Sequence, residues 1–149
     1  MKHRFYAGVW KMAGLVTGLL IPAVSFAQGL VFSEIMFNPA PGTNVYASDE
    51  YEFIELYNSG SSTINLTRAY FSKGITYTFS NTTQLAAGQY LVIAKSTNAF
   101  KARYPAVTNR AQWFYAGQLA NDGEEITLKN TNSVTLFSAT YSDRMDLAD

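Results

Sequence analysis

An antiparallel all-β domain, a sandwich or small barrel, is what the sequence predicts, and three observations predict it. Short apolar and β-branched runs recur at roughly ten-residue spacing, about eight of them along the chain. Several alternate with a period of two, Ile75-Thr76-Tyr77-Thr78-Phe79 most cleanly, which is the signature of a half-buried strand. Turn-forming clusters separate the runs, among them Asn38-Pro39, Asn58-Ser59-Gly60-Ser61 and Asn121-Asp122-Gly123. No second domain, fixed-period repeat or low-complexity tract accompanies this pattern.

The first 27 residues stand apart from the fold. Lys2, Arg4 and Lys11 make a basic start, Met12 to Val24 is a mostly apolar run, and Ser25-Phe26-Ala27 places small residues as a cleavage site requires. Residues 1–27 therefore read as a cleavable signal peptide and 28–149 as the folded domain, without a transmembrane segment after cleavage. A secreted, periplasmic or cell-surface location is expected.

Leu30 to Asn38 reads as the first strand, stopped by Asn38-Pro39 and Pro41-Gly42, since proline cannot donate to a ladder. A polar loop over 39–50 leads to Tyr51-Glu52-Phe53-Ile54-Glu55-Leu56-Tyr57-Asn58, expected to be the central strand of its sheet. Alternation puts Ile54 and Leu56 on one face and Phe53, Glu55 and Tyr57 on the other. Short strands follow at 63–66, 69–71 and 75–79. Gln89 to Ala94 is apolar almost throughout and reads as an interior strand. Asn98 to Tyr104 is the one helical turn, with Phe100 and Tyr104 four apart, and Pro105 ends it. Trp113-Phe114-Tyr115 is a further short strand, and 125–129 with 133–141 form a hairpin about Asn130 to Asn132.

Composition narrows the chemistry. Three of the eleven basic residues leave with the signal, so eight Lys and Arg face eleven Asp and Glu, a net charge of −3. That balance offers no footprint for nucleic acid, which is not expected as a partner. The chain has no cysteine, and its single histidine, His3, also leaves. Disulfides cannot staple the domain, and neither Cys/His zinc sites nor histidine-activated Ser or Cys nucleophiles can form within it.

Taken together, the segments resemble the lamin tail domain family in its exported bacterial form. The matching pieces run in order from Ser33-Glu34-Ile35-Met36-Phe37-Asn38-Pro39 through Glu52-Phe53-Ile54-Glu55-Leu56-Tyr57-Asn58. Ile75 to Phe79, Leu85 to Val92, Phe100 with Tyr104, Gly117 to Ile126 and Tyr141-Ser142-Asp143 follow. The resemblance implies an immunoglobulin-like antiparallel β sandwich, and a Trp-Pro and last strand beyond the Tyr-x-Asp position. Here Arg144 to Asp149 ends the chain first, so the domain is expected to lack that strand. The resemblance also implies that Glu34 and Glu55 accept hydrogen bonds from loop backbone.

Candidate site residues are few. Glu34, Glu50, Glu52, Glu55, Asp122, Glu124 and Glu125 are possible oxygen ligands for calcium, but they lack the order of an EF-hand loop. Glu52 and Glu55 face opposite sides of their strand and so cannot serve as one acid/base pair. Tyr46, Tyr51, Tyr57, Trp113 and Tyr115 either fill the core or form a stacking platform. No catalytic, cofactor-binding or metal-binding residue is assigned. The expected role is a non-enzymatic interaction module for protein or envelope components. The alternative, implied by the resemblance, is an accessory domain of a larger exported hydrolase or nuclease, binding carbohydrate or substrate.

Overall fold

The computed structural model describes residues 29–42, 46–109 and 115–143. The expected signal peptide over residues 1–27 and Trp113-Phe114 lie outside the described residues. In chain order the elements are β1 (Leu30–Met36), a 3-10 turn (Ser48–Tyr51), β2 (Phe53–Asn58), β3 (Ile64–Asn65), β4 (Tyr70–Lys73) and β5 (Gln84–Leu85). They continue with β6 (Tyr90–Ala94), α1 (Thr97–Arg103), β7 (Gly123–Lys129) and β8 (Thr135–Ser142). All strand pairs are antiparallel, in sheets ordered β1-β2-β6, β4-β7-β8 and β3-β5. The all-β, immunoglobulin-like expectation holds, and β2 is the central strand of its sheet.

One core joins the two larger sheets. Ile54 and Leu56 of β2 and Ile93 of β6 pack in the same cluster as Phe71, Ile126, Leu128 and Leu136 from the opposite sheet. Burying each such side chain contributes roughly 1.5–3 kcal/mol, so this cluster replaces the absent disulfides. Ile75, Tyr77 and Phe79 are buried and Thr76 and Thr78 exposed, as the alternation requires. That segment pairs only through isolated bridges, Tyr70 with Thr78 and Thr76 with Ala116, rather than as a continuous strand. The hairpin forms with its turn at Asn130–Val134.

Two local features shape the functional surface. First, β1 carries a bulge: Phe32 pairs with Leu56, but Glu34 pairs with Glu55, leaving Ser33 extra. The added residue shifts the alternation, so Phe32 and Ile35 both pack toward the core while Glu34 stands on the outer face. Second, α1 lies across that outer face. Its N-cap Ser96 accepts the Ala99 amide at 3.3 Å, and Phe100 and Tyr104 meet Phe53 edge-on at 5.2 and 5.9 Å. Phe53, Val92, Ala94 and Phe100 thereby form a second small core. Among the described residues β6 is the last strand in the order β1-β2-β6, and it is apolar on both faces, with α1 covering the outer one. On its other side the following chain bonds to β6, the Val92 amide donating to the Asn109 carbonyl at 2.9 Å and the Tyr115 amide to the Ala94 carbonyl at 3.3 Å.

Candidate functional site: an acid-edged groove

Where α1 and the outer face of β2 diverge they leave a pocket of about 120 Å³. Phe53, Val92, Phe100, Tyr104 and Val107 wall it, and Glu34 and Glu55 close its remaining side. These two carboxylates are opposite each other in the β1–β2 register, where Cβ atoms are about 5 Å apart. Glu55 Oε1 accepts the Ser33 hydroxyl at 2.8 Å, so the bulge residue fixes its orientation. Partial desolvation, and then the charge of Glu55, raise the Glu34 carboxyl above its ordinary value. A like-charge pair beside an apolar wall favours a cation and repels phosphate or carboxylate ligands.

Among the described residues neither Glu34 nor Glu55 accepts a backbone amide as the resemblance implies, and other carboxylates bind the loop amides. Glu52 is 1 % exposed, and its Oε2 accepts the Tyr115 hydroxyl at 2.8 Å and the Leu119 amide at 3.1 Å. Lys95 Nζ lies 3.8 Å from the same oxygen and 2.8 Å from Asp49 Oδ2. That contact holds the Asp49 carboxyl below its ordinary value. Burial and the adjoining Glu52 charge push the Tyr115 hydroxyl far up. Glu124 Oε1 accepts the Ala120 amide at 3.0 Å and the Tyr141 hydroxyl at 3.1 Å, while Glu50 accepts the Ala47 amide at 3.0 Å.

The other residues singled out in the sequence scatter. Glu125 lies on the exposed face of β7 with Lys73, Thr127 and Ser138, which lower its carboxyl, and Asp122 sits exposed in a turn. Among the described residues no three acidic, histidine or cysteine side chains converge as a metal cluster would. Tyr51 and Tyr115 are buried, Tyr46 meets Tyr51 edge-on at 6.1 Å, and Tyr57 stacks on the exposed Tyr90 at 4.4 Å. Trp113 lies outside the described residues. The core-filling reading of Tyr51 and Tyr115 is therefore correct. Sequence reasoning missed Ser33, Asp49, Lys95 and Tyr141. A signal for Glu52 was present: it shares strand parity with Ile54 and Leu56, which placed a carboxylate on the core-facing side.

Two packed antiparallel sheets, one covering helix and loops anchored by carboxylates define an immunoglobulin-like all-β domain. The family model for the lamin tail domain matches residues 24–143, and the chain belongs to that family. Among curated proteins no relative matches it. Among the described residues no helix is long and apolar enough to cross a membrane.

Proposed function

We propose that this domain is an exported, non-catalytic interaction module that takes a lysine or arginine of an extended protein segment into the groove beside α1. The observation that carries the reading is the Glu34–Glu55 pair at the groove's edge. Like charges directly opposite on a sheet destabilise it, so folding alone gives no reason for the pairing. Local rules broken without a folding benefit mark functional positions. A cationic side chain would lay its methylenes against Phe53, Val92 and Val107 and put its charge between the carboxylates.

The pocket's size favours a single anchoring side chain over a cofactor-sized ligand, whose sites run to roughly 300–1,000 Å³. The rest of the interface would supply the remaining affinity, as is usual around such anchors. The basic, then apolar, then small-residue order of residues 1–27 supports export. With a net charge of −3 over residues 28–149 and an acidic groove, nucleic acid is disfavoured as partner.

Selection of displayed random peptides on the full chain tests this. Wild type should enrich Lys or Arg flanked by apolar residues, and a Glu34→Gln/Glu55→Gln variant should lose that enrichment. Equal selection by both proteins would refute the groove. Retention of soluble glycans instead, sensitive to Tyr90→Ala, would favour the carbohydrate-accessory role.

A further inference from the structure

Glu52 carries a buried atom that the fold leaves unmatched. Its Oε2 is saturated by the Tyr115 hydroxyl and the Leu119 amide, but Oε1 has no hydrogen-bond partner among the described residues. An acceptor buried without a donor is costly, and native structures almost always match such atoms. Glu52 also lines a second pocket, of about 190 Å³, together with Asn38, Ser48, Asp49, Gln118 and Asn121. This pocket lies between three segments distant in sequence: the chain after β1, the 3-10 turn, and the loop before β7.

We propose that this pocket is a weak site for a hard divalent cation, calcium in an extracellular setting. Its lining offers oxygen chemistry, with two carboxylates, side-chain amides and a hydroxyl, and no imidazole or thiolate that would select zinc or copper. Space for several waters beside the ion means that it binds partly hydrated. Lys95 sets the strength. Its ammonium lies 2.8 Å from Asp49 Oδ2 and 3.8 Å from Glu52 Oε2, cancelling one of the two negative charges. Affinity then falls in the range of extracellular calcium modules, roughly 10⁻⁴–10⁻³ M. Lys95 and the cation compete for Asp49, so removing the lysine's charge strengthens the site. Bound calcium ties the three segments together, whereas Lys95 reaches only Asp49 of the 3-10 turn and the Glu52 that follows it.

Terbium, a calcium stand-in whose emission is sensitised by nearby tyrosine, reads the site directly, because the Tyr115 hydroxyl is bonded to Glu52. Titrated into the full chain, terbium should give saturable emission that calcium chloride displaces. Asp49→Asn should weaken binding by roughly tenfold or more, since it removes one of two charged ligands. Lys95→Met should tighten it, an effect that a purely structural Lys95 would not produce. Glu34→Gln/Glu55→Gln should leave it unchanged, which separates this site from the groove. Non-saturable emission, equal affinity in wild type and Asp49→Asn, or loss in the groove variant would each overturn the proposal. Asp49 is only half-buried, so its variant should fold, as circular dichroism can verify, and it decides the matter should Lys95→Met unfold.

Discussion

Replacing Tyr115 by phenylalanine removes one oxygen from the interior and leaves the ring in place. That oxygen donates to Glu52 Oε2 at 2.8 Å, between two groups that are almost wholly buried. Leu119 still donates to the same atom at 3.1 Å, but Oε1 already has no partner among the described residues. A buried hydrogen bond to a charged group is worth about 1.5–3 kcal/mol. Taking about 2 kcal/mol, and a urea m-value near 2 kcal/mol/M, the unfolding midpoint should fall by about 1 M with m unchanged. The pH dependence supplies a second readout. Burial and Glu52 raise the Tyr115 hydroxyl above its ordinary 10.0, so the folded state keeps a proton that the unfolded chain loses. The stability this confers is complete below pH 10 and declines as pH rises beyond it, by about 1.4 kcal/mol per unit. In Tyr115→Phe that part of the alkaline decline should vanish. A midpoint shift under about 0.2 M, with an unaltered alkaline limb, would refute the buried Glu52–Tyr115 bond as a stabilising element.

Three further outcomes are expected. Ile54→Asp buries an unpartnered charge in the core joining the sheets and should abolish the β circular dichroism spectrum. Glu34→Gln should raise stability near neutral pH by about 0.3 kcal/mol, a small value because the site is exposed and screened. With its folded pKa raised, ionising Glu34 costs stability as pH climbs through that value, so the gain should disappear in acid, as denaturation at several pH values will show. Gly123→Ala should cost about 2 kcal/mol or more by the same denaturation, because φ is +109° and an added Cβ would lie 2.4 Å from the Tyr141 carbonyl oxygen.

Strand positions were legible in the sequence wherever one face is buried and the other wet. The 125–141 hairpin is a case in point; in Ile75-Tyr77-Phe79 the period-two alternation predicted the buried face correctly, but the segment pairs only through isolated bridges and not as a continuous strand. The helix over the outer face of β6 was not legible from its apolar run, because a strand covered by a helix reads like any strand buried on both faces. The bulge at Ser33 was hidden because no glycine or proline marks it, and with it the opposition of Glu34 to Glu55. Glu52 was singled out as one carboxylate among several. Its partners lie 63 and 67 residues onward, a pairing that only tertiary packing creates.

The central claim is that a cationic partner residue enters the groove between α1 and β2. It is tested most directly by titrating an amphipathic, arginine-containing octapeptide into the ¹⁵N-labelled full chain and following backbone amide shifts. The account predicts saturable changes concentrated at Glu34, Phe53 to Glu55, Val92 and Phe100 to Val107, weakening as salt rises. Shifts centred instead on Tyr57 and Tyr90 or on β8, or the same shifts in Glu34→Gln/Glu55→Gln, would contradict it.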